Sequence, residues 1–251
     1  MDIPVYRYET VDSTNTQCRR LAAEGVMAAV VTADCQTEGR GRMGRRFQSP
    51  PELGLYLSVL WRTGLRADTL PMVTPLAAVA VCRAVEDVCG LRCGVKWPND
   101  LILGGRKVCG ILTESAFRPD GQPDWVIVGI GVNVSQTAAD FSPDVAAMAT
   151  SLSAELGRGV SRDALAQALV RELAELHDNI LPDPARWRED YCARCVNIGQ
   201  RVRLERGGQV RDAAAEGIDP YYGLTVRYDD GTWETLRGGE VSVRGLYGYS
   251  E

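Results

Sequence analysis

The chain has 251 residues, of which 45% are hydrophobic and 24% are charged, as in an ordinary globular protein with one large domain or a domain and a smaller companion. No apolar run reaches the length of a transmembrane helix, and the N-terminus lacks the basic and then apolar pattern of a signal peptide. From these two absences we expect a cytoplasmic protein with no membrane partner. The net charge of −5 argues against nonspecific nucleic-acid binding, so we also expect no DNA partner.

The first part of the chain alternates between predicted strands and helices. A short strand over 5–8 precedes a helix that starts among the capping residues Asp12–Asn15 and runs to about Ala23. Strands follow near 28–34 and 54–62, and a long helix then runs from Pro71 to Val88 and is ended by Gly90. Segments 94–103 and 107–114 predict a β-hairpin, and 125–134 predicts a strand buried on both faces.

The pattern of the sequence changes from Val196 onward. Before it, apolar residues at helical spacing predict a helix over 161–179, and a second helix is expected over about 184–193. After it, short strands alternate with glycine-rich turns, which is typical of a small β-barrel. We therefore predict two domains, covering residues 1–193 and 194–251.

A basic, glycine-rich segment lies between two predicted core strands. Residues Glu38–Arg46 contain four arginines and three glycines and carry a charge of +3 within an acidic chain. Glycine lets the backbone approach a ligand, and arginine offers a planar fork for carboxylate or phosphate oxygens. The alternatives are a solvated loop and an RG-type nucleic-acid tract, but the flanking strands favour a folded anion site.

Eight cysteines and one histidine offer other chemistry. Cys192 and Cys195 have CxxC spacing, but no second pair completes a zinc site and no strand precedes them as in a redox motif. Most of the cysteines lie in apolar segments, so we interpret them as small hydrophobic side chains. His177 lies near a predicted helix end, where a helix terminus explains it better than catalysis does. We therefore predict no metal site.

Several other polar residues and glycines are candidates for binding a ligand. Short hydroxyl and amide side chains suit a neutral polar head group, and these are Ser13, Thr14, Asn15 and Gln36. Lys107 enters a strand directly after a turn, where it is either a phosphate-binding charge or a solvated edge lysine. Glycines inside apolar strands mark either a bulge or a close approach of a ligand, and these are Gly110, Gly129 and Gly131.

Taken together and in order, these motifs resemble the biotin protein ligases. The matching segments are Ser13–Asn15, the GRGRxGR pattern of Gly39–Arg45, the KWPND of Lys96–Asp100, Lys107–Leu112, the GxGxN of Gly129–Asn133 and the C-terminal tail Gly239–Arg244. The chain departs from the family at Phe47, where tryptophan is usual, and we expect no N-terminal DNA-binding domain of the kind found in the repressor-type members.

The resemblance implies a fold and a reaction. The fold is α+β, with a mixed β-sheet and packed helices like a class II aminoacyl-tRNA synthetase, plus a small C-terminal SH3-like β-barrel. The reaction converts biotin and ATP, with Mg²⁺, to biotinyl-AMP and pyrophosphate, and then transfers biotin to a lysine of the biotin carboxyl carrier domain of a carboxylase. Whether the protein forms a homodimer is left open.

The resemblance also implies roles for single residues. Ser13, Thr14, Gln36 and the backbone around Arg40 hold the ureido ring, the strand glycines Gly110, Gly129 and Gly131 make room for the bicycle, and Asn133 and Phe47 lie on the adenine side. Gly39, Arg40, Gly41, Arg42 and Arg45 form the loop that closes over the ligand. Lys107 contacts the activated carboxyl and phosphate, Arg42 locks the loop, and Asp100 orients the incoming amine.

Two alternatives are kept. The first is a lipoate or octanoate ligase of the same superfamily. Its substrates have no ureido ring and need no polar partners there, so Ser13, Thr14 and Gln36 favour biotin. A non-enzymatic nucleic-acid-binding module using the arginine-rich loop would sit in a basic domain, and this chain is acidic.

Overall fold

A seven-stranded mixed sheet organises most of the molecule. The computed structural model describes residues 3–62, 66–237 and 242–245. The strands are β1 (Val5–Val11), β2 (Ala28–Gln36), β3 (Gly54–Trp61), β4 (Gly94–Lys96), β5 (Asp100–Leu103), β6 (Arg106–Phe117) and β7 (Pro123–Asn133), in the spatial order β1-β2-β3-β7-β6-β5-β4. Strand β1 is parallel to β2, and the other neighbours are antiparallel.

Helices cover both faces of this sheet. On one face, α1 (Thr14–Ala23) packs Cys18, Leu21 and Ala22 against Ala29 and Val31 of β2. On the other face, Val30 belongs to the core around α2 (Leu70–Cys89), because successive side chains of a strand point to opposite faces. The remaining helices are α3 (Pro143–Ala146), α4 (Leu152–Leu156), α5 (Arg162–Glu175) and α6 (Arg188–Arg194).

Most predicted elements are present, and their ends follow the expected chemistry. Gly90 ends α2 with a left-handed φ of 68°, and Gly104 and Gly105 make the hairpin turn with φ of 52° and 73°. Among the described residues no helix has the length and apolarity needed to cross a bilayer.

Three predicted elements differ in detail. The strand expected over 94–103 is interrupted after Lys96, because Pro98 has no N–H to donate to a ladder, and β4 and β5 pair with each other instead. The helix expected over 161–179 is α helical only to Glu175 and continues as one π-helical turn, Leu176–Ile180. The helix expected over 184–193 begins as a 3₁₀ turn, Pro184–Trp187, before α6.

A second, antiparallel sheet follows α6, and we call it the C-terminal sheet. Its strands are β8 (Arg201–Arg206), β9 (Gln209–Ile218), β10 (Leu224–Tyr228), β11 (Trp233–Leu236) and β12 (Ser242–Gly245), in the order β11-β10-β9-β8-β12. This arrangement fits the small SH3-like barrel that the sequence predicts. The boundary between residues 193 and 194 stays a prediction. Of the tail motif, Gly239, Glu240 and Val241 lie outside the described residues.

Candidate active site

One pocket gathers most of the residues singled out in the sequence, and we call it the central pocket. It lies between the start of α1, the strands β6 and β7, and the arginine-rich loop that follows β2. Twelve predicted site residues line it, namely Ser13, Thr14, Asn15, Gln36, Arg40, Gly41, Arg42, Phe47, Lys107, Gly110, Gly129 and Gly131.

The polar end of the pocket is a connected hydrogen-bond cluster. Thr14 donates from its main-chain N–H to Oε1 of Gln36 at 2.9 Å, and its Oγ1 lies 3.2 Å from the same oxygen. Nε2 of Gln36 donates to Oγ of Ser49 at 2.8 Å. Oγ of Ser58 lies 2.7 Å from Oγ1 of Thr14 and 2.6 Å from Oδ1 of Asn15. Donors and acceptors are thus fixed side by side at the start of α1.

The arginine-rich segment is a folded hairpin, and we call residues Gly39–Arg46 the arginine loop. Arg40 and Arg46 form an antiparallel bridge, and the N–H of Gly41 donates to the carbonyl of Arg45 at 2.7 Å. Met43 and Gly44 turn the tip with φ of 55° and 73°. The loop is therefore pinned at its base by main-chain bonds, as a loop between two core strands should be.

Glu114 joins the arginine loop to the polar cluster. Its Oε1 accepts from Nη1 of Arg40 at 3.0 Å, and its Oε2 accepts from Nδ2 of Asn15 at 2.8 Å. The carboxylate thereby links a loop residue to the first turn of α1 across 74 and 99 positions of sequence. It positions both side chains at the pocket wall.

A second network brings cations and a carboxylate together at the other end. Nη1 of Arg42 donates to Oδ1 of Asn99 at 2.7 Å, and Nδ2 of Asn99 donates to Oδ1 of Asp100 at 2.9 Å. The same Asp100 oxygen accepts from Nζ of Lys107 at 2.7 Å. Burial lowers the pKa of the Arg42 guanidinium, an effect that the nearby Asp100 opposes and Arg45 reinforces. A desolvated cation gains more from an anionic ligand than a hydrated one does.

The strand glycines accommodate side chains of the protein itself. A Cβ on Gly129 would lie 2.0 Å from Oδ1 of Asn15, and one on Gly131 would lie 2.5 Å from the ring of Phe47. A Cβ on Gly110 would lie 3.1 Å from Nζ of Lys107. Larger residues at Gly129 and Gly131 would collide with Asn15 and Phe47, and the close approach of a ligand to these glycines stays a prediction. The Phe47 ring also packs edge-on against Tyr56 at 6.5 Å.

Four predicted site residues do not line the central pocket. Gly39 is buried at the base of the loop, where a Cβ would lie 2.3 Å from the carbonyl of Phe47. Arg45 is exposed, and Asp100 lies behind Lys107 and Asn99. Asn133 is 4% exposed and donates from Nδ2 to the carbonyl of Thr150 at 3.0 Å. The structure thus gives Asn133 a bond within the fold, and its adenine contact stays a prediction.

Three residues around the site, Ser58, Glu114 and Ser49, were not among the predicted site residues, and Asn99 was noted only as part of the KWPND motif. Ser58 is a lone hydroxyl in the apolar strand Gly54–Trp61, and that isolation was the available signal. Glu114 and Asn99 lie inside or beside motifs already noted, but only the packing of the loop shows their partners. Ser49 carries no local signal.

The cysteines and the histidine lie apart from the central pocket. All eight cysteines are free, and burial raises the pKa of the Cys195 thiol to about 11 and that of Cys192 above its usual value. Among the described residues, no three His, Cys, Asp or Glu side chains are grouped as metal ligands. His177 follows α5, as expected, and contacts Asp178 at 2.7 Å.

Comparison with known families decides what this pocket belongs to. Residues 8–133 match the biotin/lipoate A/B protein ligase family, and residues 198–244 match the biotin protein ligase C-terminal domain. The chain belongs to the biotin/lipoate A/B protein ligase family. The first match covers the residues that line the central pocket, and the second covers nearly all of the C-terminal sheet.

Individual relatives of this ligase family agree with the match. The chain is 35% identical over 250 residues to a biotin–[acetyl-CoA-carboxylase] ligase of Mycobacterium tuberculosis, covering 92% of this chain and 86% of that protein. It is 37% identical to a bifunctional ligase/repressor BirA of Bacillus subtilis, covering 89% and 69%. A biotin protein ligase of Aquifex aeolicus, solved in complex with biotin and ATP, superposes with a TM-score of 0.80 at 27% identity, covering 96% and 99%.

These findings bear on the predictions made from the sequence. They confirm the family, the α+β fold with its C-terminal sheet, and a ligase that acts on biotin. The lipoate alternative is less supported, since the relatives named here are biotin ligases. A non-enzymatic nucleic-acid module is set aside, because the family is one of enzymes.

Proposed function

We propose that the protein activates biotin with ATP to biotinyl-5′-AMP and transfers the biotinyl group to a lysine of a carboxylase carrier domain. One observation carries this proposal: a cluster of neutral polar side chains and a set of cations line the same small pocket. Ser13, Thr14 and Gln36 form the first, and Arg42 and Lys107 belong to the second. A ligand with a neutral head and an anionic end fits this polarity.

The polar cluster suits the ureido ring. A ureido group carries two N–H donors and one carbonyl acceptor, so it needs partners of both kinds. Gln36 and the hydroxyls of Ser13 and Thr14 offer both, and Ser58 and Ser49 hold Thr14 and Gln36 in place. Lipoyl and octanoyl chains have no such head group, so this cluster is what separates the two substrate classes.

The cations suit the first chemical step. A carboxylate oxygen of biotin attacks the α-phosphorus of ATP, and the bond from that phosphorus to the pyrophosphate oxygen breaks. Both reactants are anionic, so the step depends on nearby positive charge. Lys107 and Arg42 supply it, and Asn99 and Asp100 fix their directions. Mg²⁺ enters as the complex with ATP, since it binds phosphates with few protein ligands.

The second step is an aminolysis. The neutral amine of the acceptor lysine attacks the acyl carbon of the mixed anhydride, and the bond from that carbon to the AMP oxygen breaks. The nitrogen releases one proton as the amide forms. A free lysine is mostly protonated at neutral pH, so the attack needs a group that accepts a proton from the amine, and a carboxylate can do so. Asp100 is the carboxylate closest to Lys107, and we propose that it orients this amine.

The test combines the two steps. The protein is mixed with Mg·ATP, biotin and a carrier domain, and mass spectrometry looks for one biotinyl group on one lysine, with a carrier whose lysine is replaced by arginine as control. In parallel, ATP–pyrophosphate exchange is measured with biotin, lipoate and octanoate. Exchange that depends on biotin alone is expected. Exchange with lipoate or octanoate instead of biotin would refute the assignment.

A further inference from the structure

Trp97 donates two hydrogen bonds to the part of the chain that follows α6. Its main-chain N–H donates to Oδ1 of Asn197 at 2.7 Å, and its indole Nε1–H donates to the carbonyl of Tyr222 at 2.9 Å. Trp97 and Tyr222 are each 2% exposed and Asn197 is 4% exposed. Both bonds are therefore shielded from water, so neither donor finds a replacement partner easily if its acceptor is lost.

The two acceptors are themselves fixed. The segment that carries Asn197 runs parallel to β4, and the N–H of Val196 donates to the carbonyl of Val95 at 2.9 Å. Tyr222 lies in the loop between β9 and β10, and its hydroxyl donates to the carbonyl of Pro184 at 2.6 Å. Tyr222 also packs edge-on against Tyr191 at 5.3 Å. The C-terminal part thus presents two rigid acceptors to one residue.

Trp97 begins the segment that carries the polar network of the central pocket. Two residues on, Asn99 accepts from Arg42 at 2.7 Å and donates to the carbonyl of Ile111 at 3.1 Å. Next to it, Asp100 accepts from Lys107 at 2.7 Å. Only Pro98 separates Trp97 from Asn99, so a shift at Trp97 is passed directly to the groups that aim Arg42 and Lys107.

We propose that Asn197 is a positioning residue for adenylate formation. It holds Trp97 so that Asn99 and Asp100 aim Arg42 and Lys107 at the reacting groups. The kinetic part of this inference rests on the proposed function, whereas the positional part concerns the fold alone. The segment between α6 and β8 then serves the first step of the reaction.

Three variants separate positioning from a merely structural role. Asn197→Ala removes the acceptor, and Asn197→Asp keeps an oxygen at the same place. Asn179→Ala is the matched control, because this exposed asparagine bonds Glu175 far from the pocket. Thermal melting establishes that each variant is folded at the assay temperature.

The positional part is read by hydrogen–deuterium exchange without any substrate. In Asn197→Ala the amides over 97–101 are expected to exchange roughly tenfold faster than in the wild type, since a buried N–H loses its acceptor. The aspartate variant and the Asn179→Ala control are expected to keep the wild-type rate. Unchanged exchange over 97–101 in Asn197→Ala overturns the proposal.

The kinetic part is read by biotin-dependent ATP–pyrophosphate exchange. Misplacing catalytic groups is expected to lower kcat of Asn197→Ala by roughly tenfold to a hundredfold, with KM for biotin within about twofold. Since the effect runs through Asn99, adding Asn197→Ala to Asn99→Ala should cost little more than Asn99→Ala alone. A folded Asn197→Ala with wild-type kcat refutes the proposal.

A failure of folding does not remove the test. If Asn197→Ala is unfolded, Asn197→Ser keeps a polar side chain that is too short to reach the N–H of Trp97, and it is expected to show the same faster exchange and lower kcat. If it shows neither, the proposal is wrong. A wild type with no biotin-dependent activity would count against the proposed function, and the exchange data over 97–101 would still decide whether Asn197 holds the segment.

Discussion

Oδ1 of Asn15 occupies the space in front of Gly129, 2.0 Å from where a Cβ on that residue would stand. The glycine therefore leaves room for Asn15 at the start of α1, and hydrogen bonds with Ser58 and Glu114 fix the Asn15 side chain there. We predict that Gly129→Ala pushes Asn15 out of place and raises the Kd for biotin about tenfold, as overpacking by a methyl group commonly costs 1–3 kcal/mol.

Isothermal titration with biotin alone measures this effect. The matched control is Gly217→Ala, because Gly217 also lies in a strand and a Cβ there meets nothing within 4 Å. Unchanged biotin affinity in Gly129→Ala would show that Asn15 does not contribute to the head-group site.

Lys107 should be needed for adenylate formation but not for folding. Its ammonium lies 2.7 Å from Asp100 and lines the central pocket beside Gly110. We expect Lys107→Ala to slow biotin-dependent pyrophosphate exchange on the order of a hundredfold, since it removes a charge that stabilises the transition state.

The neighbouring cation serves as the control for Lys107. Arg106 precedes it on β6, is exposed and pairs with Glu155 at 2.6 Å instead of entering the pocket. Arg106→Ala should keep nearly wild-type exchange. Wild-type exchange in a folded Lys107→Ala would sink the role assigned to Lys107.

Arg42 should retain the reactive adenylate. It lies near the tip of the arginine loop and donates to Asn99, which belongs to a different part of the chain, so it helps to hold the loop against the pocket. In Arg42→Gly the closed loop loses a contact and gains conformational entropy when open, so biotinyl-AMP should escape faster at some cost in biotin affinity. The escaping anhydride would acylate amines of bystander proteins.

Biotin incorporation into albumin reports this escape. The chain itself is a poor reporter because it has two lysines, Lys96 and Lys107, both near the site. Arg118→Gly, in the exposed turn between β6 and β7, is the control. Labelling no greater than in the wild type, at equal adenylate formation, would mean that Arg42 does not guard the intermediate.

Cys192 and Cys195, the CxxC pair, should react slowly with alkylating and oxidising reagents in the folded protein. Burial raises the pKa of Cys195 to about 11, so at pH 8 roughly one thiol in a thousand is the reactive thiolate, against about a quarter for an ordinary cysteine. Iodoacetamide should label Cys195 at least about a hundredfold more slowly in the native state than in urea. Peptide mapping measures this, and fast native labelling or a Cys192–Cys195 disulfide under mild oxidation would contradict it.

The sequence by itself determined the family, the class of ligase and most of the residues that line the pocket. The reason is that the local signals are strong: glycines at turns, a cap before α1, apolar strands and ordered motifs whose residue types match one kind of ligand. Gly90 and the Gly104–Gly105 turn appear where the pattern predicts them, because backbone conformation at those points depends on the residue itself.

Only the tertiary structure decided which side chains meet. Glu114 contacts Asn15 and Arg40, and Asn197 contacts Trp97, across 74 to 100 residues of chain, and no local pattern encodes such pairs. Asn133 matches a motif position, yet its amide is bonded to Thr150 inside the fold. Partners of buried polar groups are set by how strands and loops stack, because each such group takes the nearest acceptor that packing leaves beside it.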